Sequence, residues 1–231
     1  MSSATADTPL GGTGSEPGRA GLGGYPVNLL VQGRRCVVVG AGRIAARKID
    51  ALVEAGADVH VIAPDAVEEI RTAHEDGRLT WHARGFAASD LDDAWLATTA
   101  TSDPDVNRAV FVAGEARRVF VNSADDPQNC SFTLMSLVRQ GDLVVTVGTG
   151  GRSPALATFL RNHVRDEMGP EYSVLLDVLS EARETMRAGG RSSEDADWQA
   201  AIDSGMLDLI RRGRVAEAKE LLQTCLSSSS D

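Results

Sequence analysis

Aromatic residues are scarce in this chain: three Trp, two Tyr and five Phe make up 4% of 231 residues. Any core must therefore be aliphatic, and a 42% hydrophobic content is enough to build a sizeable one. Cysteine is rarer still, at three positions (Cys36, Cys130 and Cys225) far apart, with no CxxC and no Cys/His cluster. That excludes a disulfide framework and gives no structural zinc motif. Cys36 falls in an apolar run and Cys130 near another, so both are read as buried, inert thiols. Positive charge is in deficit, 23 Lys and Arg against 33 Asp and Glu, for a net charge of −10. Nucleic-acid binders carry a basic footprint, and an anionic membrane surface would be repelled. A small anionic substrate remains compatible, because a pocket can be locally basic on an acidic protein. No apolar run approaches the roughly 18–20 residues of a membrane span. The amino terminus has no basic-then-apolar leader pattern, so a reducing cytoplasm is expected.

What is present is a regular alternation. Residues 1–24 hold seven of the 23 glycines and no aromatic, and are expected to be a disordered tail, as are Ser227 to Asp231. Arg35–Val39 (RCVVV) and Asp58–Ile62 (DVHVI) are β-branched runs predicting buried strands. Leu79–Ala83, Ala94–Ala100 and Val119–Asn122 predict three more. Between them, Ile44–Ala55 and Val67–His74 carry helical spacing, and Pro104 opens a helix to about Ala116 with Asp103 as its cap. Strands alternating with helices predict a doubly wound parallel α/β sheet. After it, Ser131–Val138 and Asp142–Val147 predict a hairpin turning at Gln140-Gly141. A helix then opens at Ser153-Pro154 and runs to about Glu167, and only helices follow, over 171–187, 195–212 and 214–225. The expected division is a sheet domain over 25–133, a strand-containing connector over 134–168 and a helical module over 169–226.

The most informative motif is Gly40-Ala41-Gly42-Arg43-Ile44-Ala45, a GxGxxA between a predicted strand and a predicted helix. Gly40 permits a tight turn, Gly42 lets the backbone approach a pyrophosphate, and Ala45 lets helix and strand pack closely. Free amides at the helix start then face the phosphates. In that context the motif predicts a Rossmann dinucleotide-binding domain rather than a plain structural turn. An acidic residue at the end of the second strand should hold the ribose hydroxyls. The chain has Ala63-Pro64-Asp65 there, and Asp65 reads equally as a ribose ligand or as a cap of the next helix. No arginine occupies that place in the sequence for a 2′-phosphate, which favours NAD over NADP.

Three stretches in order, VVVGAGRIAARKIDALVEAGADVHVIAPD, VNSADDPQNCSF and VGTGGRSPALA, resemble the precorrin-2 dehydrogenase family. That family comprises the amino-terminal module of sirohaem synthase and its stand-alone relatives, and the similarity runs from about Tyr25 into the final helices. The resemblance implies NAD+ as hydride acceptor, precorrin-2 as substrate and a homodimer built by the connector. Some members also insert Fe2+ into the product, sirohydrochlorin. The family's Asn-x-x-Asp-x-Pro pattern gives Asn122 to Pro127, so Asp125 takes the catalytic role. Cofactor contacts carry over to the backbone at Arg43 and Ile44 and to Pro64 and Asp65, beside the motif's own Gly40 and Gly42. The family's serine-rich turn stands here as Gly148-Thr149-Gly150-Gly151, with threonine in place of serine.

Read from the residues alone, Asp125 fits a base at a strand's carboxyl end as well as a turn aspartate; adjacent Asp126 reads as a solvated turn residue. A substrate with several carboxylates needs local cations, for which Arg118 and Arg152 with Thr149 are the candidates, beside Arg117, Arg161 and Arg165. His60, His74, His82 and His163 lack metal-ligand spacing and read as strand or helix-surface residues. Two other functions fit the glycine motif: a non-catalytic nucleotide sensor, and a dehydrogenase of another small substrate. The sensor accounts for neither the aspartate pattern nor the glycine-rich turn, and the lack of a Cys or a His-centred acid–base group near the strand ends disfavours conventional alcohol or aldehyde chemistry.

Overall fold

The computed structural model describes residues 24–228 other than 125, 193 and 195. The tail expected over 1–24 therefore lies, up to residue 23, outside the described residues. Among these, the chain divides into two compact units. The first runs to Leu134 and includes Gly150–Arg152; the second comprises Met135–Thr149 and the chain from Ser153 onward. The expected helical module and the connector, apart from Leu134 and Gly150–Arg152, thus fall within one unit.

The first unit is built on five parallel strands: β1 (Arg35–Val39), β2 (Asp58–Ile62), β3 (Thr80–His82), β4 (Leu96–Thr99) and β5 (Phe120–Ser123), in the order β3-β2-β1-β4-β5. The helices α1 (Arg43–Glu54), α2 (Glu68–Glu75) and α3 (Pro104–Arg117) connect them. Because successive residues of a strand face opposite sides, β1 feeds two separate cores. Val38 packs with Ala45, Ile49, Val59, Val61, Ile70 and Leu79 on the α1–α2 face. Val37 and Val39 pack with Ile62, Leu91, Ala97, Val110 and Val121 on the α3 face. Burying each such Val or Ile contributes about 1.5–3 kcal/mol, which is how a chain poor in aromatics holds its sheet. The α3 core is closed by a 3-10 turn over Ala88–Leu91, which no apolar periodicity announced. Its buried Asp90 takes both guanidinium arms of Arg84 and the amide of Ala87.

In the second unit, β6 (Ser136–Gln140) and β7 (Leu143–Val147) form an antiparallel pair with Gln140 opposite Leu143. The turn is Gly141-Asp142, one residue later than expected. Gly141 has φ +58° and Asp142 no positive φ, the geometry of a tight hairpin turn with glycine first. The first strand also starts later than Ser131. The amide of Ser131 donates to the Val121 carbonyl at 2.7 Å and its hydroxyl accepts from the Val121 amide, so this segment serves β5.

The helices α4 (Pro154–Glu167), α5 (Glu171–Ala188), α6 (Trp198–Ala201), α7 (Leu207–Arg211) and α8 (Val215–Ser228) complete the unit. Leu175, Val178, Met206, Ile210, Ala218 and Leu222 form its core. The single helix expected over 195–212 is interrupted by a π turn at Ile202–Met206, where Gly205 takes φ 98°, outside helical space. Of the carboxy-terminal tail expected from Ser227, Ser227 lies on α8 with its hydroxyl donating to the Gln223 carbonyl, and residues 229–231 lie outside the described residues. Among the described residues, no helix is long and apolar enough to cross a membrane.

Candidate functional site

The strand order reverses direction between β1 and β4, and open α/β sheets bind ligands above the carboxyl ends of strands at such a point. The glycine motif leaves β1 there. Gly40 has φ +107°, and a Cβ on it would stand 2.7 Å from the Ala100 carbonyl oxygen beyond β4. Only glycine lets these two loops meet. Two residues on, Gly42 is extended, and a Cβ built on it meets no atom within 4 Å. The space that glycine leaves open is the cradle a pyrophosphate needs.

The helix starts make a contrast. The amides opening α3 at Asp105 and Val106 donate to the Asp103 carboxylate, at 2.9 and 3.3 Å. The start of α1 has no side-chain cap and no acidic residue in its first turn. Its first amides are thus left without a side-chain acceptor at the positive end of the helix dipole, an arrangement suited to receiving an anion. Ile44 stands beside it, 59% exposed, an aliphatic side chain that a bound ligand would cover. The residues present fit a dinucleotide.

Pro64 and Asp65, predicted to flank the ribose, follow the adjacent β2. The two loops are joined by the Val67 amide donating to the Ala41 carbonyl at 3.0 Å. So Gly40, Gly42, Arg43, Ile44, Pro64 and Asp65 are brought to one edge of the sheet. Asp65 does not cap α2, whose first position is preceded by Val67 without a side-chain cap. It accepts from the Ala66 amide and is paired with Arg71 of α2. The sequence reading missed Arg71 because it is six residues farther on, where helix geometry rather than strand position brings it back.

Asp125 lies outside the described residues; its neighbours are well placed. Asn122, the first residue of its pattern, is buried at the end of β5. Its side-chain oxygen accepts from Lys48 Nζ at 2.8 Å, and its amide nitrogen donates to the Phe132 carbonyl at 3.1 Å. The Ser123 hydroxyl bonds that of Thr99 at 2.6 Å, joining the ends of β4 and β5. Asp126 accepts from the Asn129 side chain at 2.6 Å and stays in the turn.

The arginine candidates separate. Arg118 follows α3 in a left-handed conformation (φ 61°) just before β5, at the amino ends of the strands. It is not brought together with the glycine turn, and Arg117 beside it pairs with Asp92 at 2.8 Å. The cause is topological: a helix leaving the carboxyl end of β4 returns to the far edge. Arg152 is exposed in the turn before α4. In that turn Thr149 Oγ1 donates to the Ser153 carbonyl at 3.1 Å and accepts from the Ser153 amide at 3.3 Å. Arg161 and Arg165 both donate to Asn162 on α4.

Cys36 is fully buried, and burial together with nearby Asp58 pushes its thiol up to about 11, so it stays protonated and unreactive. His60 and His82 stack with centroids 5.4 Å apart and share a 3.1 Å hydrogen bond. Burial, with His60 next, lowers the His82 pKa, which keeps that ring neutral at pH 7. Among the described residues, no group of three His, Cys, Asp or Glu is placed to hold a metal ion.

Residues 27–136 match the family model described as "Putative NAD(P)-binding". Siroheme synthase 1 of Yersinia enterocolitica is 35% identical over 199 residues, covering 85% of this chain and 42% of the relative. The siroheme synthase of Nitrosococcus oceani is 32% identical over 203 residues, covering 87% and 43%. The chain thus spans about two fifths of the length of the curated relatives it matches. Among solved structures, "SirC, precorrin-2 dehydrogenase" superposes with a TM-score of 0.69 over 87% of this chain and 99% of that one, at 23% identity, a likeness of fold.

Proposed function

We propose that the chain, which is 35% identical over 199 residues to siroheme synthase 1 of Yersinia enterocolitica, is an NAD-dependent dehydrogenase oxidising precorrin-2 to sirohydrochlorin. The observation that carries this reading is the uncapped start of α1 behind Gly40 and Gly42, at one sheet edge with the Asn122 pattern. A dinucleotide site alone suits a sensor as well; the polar end of β5 beside it gives the reading its chemistry.

The oxidation removes a hydride and a proton from the macrocycle. Bound NAD+ supplies the hydride acceptor. What this chain's own residues do is bind, orient and move a proton. The amides at Arg43 and Ile44 hold the pyrophosphate, and Pro64 and Asp65 flank the ribose. Asp125, which follows β5 in the sequence, is the proposed base; ligands of such sheets lie at the carboxyl ends of the strands. Arg152 takes substrate carboxylates, with Thr149 shaping its turn; Arg118, at the opposite edge, has no part in the proposal. Fe2+ is proposed as a second substrate, inserted into sirohydrochlorin with Asp125 accepting the pyrrole protons. A reducing cytoplasm is the proposed compartment, in keeping with three cysteines that form no disulfide among the described residues.

We further propose that the chain works as a homodimer through its second unit. Helix α4 buries only Ala157, leaving Leu156, Phe159 and Leu160 exposed on one side, and Leu137 and Val144 are exposed on the hairpin. Apolar residues at helical spacing on an otherwise exposed helix call for a partner.

The test of the catalytic assignment compares Asp125→Ala with Asp126→Ala under anaerobic conditions. Asp125→Ala should bind NAD+ normally and lose NADH formation and iron insertion; Asp126→Ala should keep both. Normal turnover in Asp125→Ala removes that residue from the mechanism.

A further inference from the structure

The end of β2 carries two groups that dinucleotide sites use for opposite purposes. A carboxylate there holds the ribose 2′-hydroxyl of NAD, whereas an arginine accommodates the 2′-phosphate of NADP. In this chain both are present, and they are bound to each other.

Arg71 is held from three sides. Its guanidinium pairs with Asp65, its Nε donates to the Ala66 carbonyl at 2.9 Å, and its plane lies 5.1 Å from the centre of the Trp81 ring. Trp81 is in turn fixed by its indole nitrogen donating to the Ala63 carbonyl at 3.0 Å. The loop that ends β2 thus supplies the partner of the guanidinium, one of its acceptors and the anchor of the ring beneath it. Asp65 is 84% exposed and Arg71 41% exposed on their side chains, so both face the solvent where the ribose is received.

We propose that the Asp65–Arg71 pair sets coenzyme choice, with Arg71 a 2′-phosphate ligand held occupied by Asp65. This rests on the dinucleotide reading above. With the carboxylate in place, a 2′-phosphate meets a negative charge and finds its cation already paired. With the carboxylate gone, Arg71 stays positioned by Ala66 and Trp81 and is free to form paired hydrogen bonds to phosphate. Coenzyme preference then hangs on one side chain.

The experiment measures NAD+ and NADP+ binding directly by calorimetry, on the full chain without substrate. Wild type should favour NAD+ by tenfold or more. Asp65→Ser should weaken NAD+ and tighten NADP+, shifting the ratio at least a hundredfold. Adding Arg71→Met to Asp65→Ser should abolish the NADP+ gain while NAD+ affinity stays at the single-variant level. That second variant separates a ligand from mere relief of repulsion. Unchanged NADP+ affinity in Asp65→Ser, or a gain that survives loss of Arg71, overturns the proposal alone. A wild-type chain that binds neither coenzyme overturns the dinucleotide reading and the proposal with it.

Discussion

Lys48 of α1 donates to the side-chain oxygen of Asn122 at 2.8 Å, tying the helix that follows the glycine turn to the end of β5. A cation thus reaches across from the coenzyme side of the site to the strand that leads into the aspartate pattern. Lys48→Met keeps helix propensity and most of the aliphatic stem. It should lower kcat about tenfold, a loss of about 1.4 kcal/mol in transition-state stabilisation, with NAD+ affinity changed less than about threefold. Lys48→Arg should restore part of that rate. Unchanged kcat in Lys48→Met would show that the contact only packs.

The two motif glycines should respond differently. Gly40→Ala places a Cβ against the Ala100 carbonyl at a backbone angle that costs about 1–3 kcal/mol, so it should lower the thermal midpoint. Gly42→Ala meets nothing within 4 Å. It should melt within about 2 °C of wild type yet weaken NAD+ by about tenfold or more, as read by calorimetry.

Asp90 links stability to pH. Burial pushes its carboxyl up, but the hydrogen bonds from Arg84 and Ala87 outweigh this and leave it below the usual carboxylate range. A depressed folded value means that the stabilisation is present above the unfolded pKa and lost as pH falls through the folded one. Asp90→Asn should therefore cost about 1–3 kcal/mol in urea denaturation at pH 7, and the difference from wild type should shrink toward acid. A gap independent of pH would contradict this.

The exposed face of α4 gives a test of assembly. Phe159→Asp, alone or with Leu156→Asp, should convert a dimer in sedimentation velocity to a folded monomer with unchanged circular dichroism. A wild-type chain that sediments as a monomer at micromolar concentration contradicts the proposed interface.

Much of this was readable in the chain because it is carried by local pattern. The RCVVV and DVHVI runs become the largely buried β1 and β2, and the residues after RCVVV form the glycine turn into α1. What escaped is carried by contacts between distant residues. Ser131 looked like the start of a strand, yet its hydroxyl and amide serve Val121 of β5. Helical spacing runs straight through Gly205, and the π turn appears only because that glycine leaves helical space. Arg118 looked like a substrate ligand by charge; sheet topology puts it at the wrong end. Arg71 is not legible beside Asp65 because a helix brings it there from the following element.

The most direct test is anaerobic incubation of the purified chain with precorrin-2 and NAD+, following NADH and sirohydrochlorin absorbance together. The account predicts one NADH per sirohydrochlorin, no product without NAD+, and loss of both signals in Asp125→Ala. Firm NAD+ binding with no NADH from precorrin-2 would contradict it and leave the sensor, or another substrate, as the function of this site.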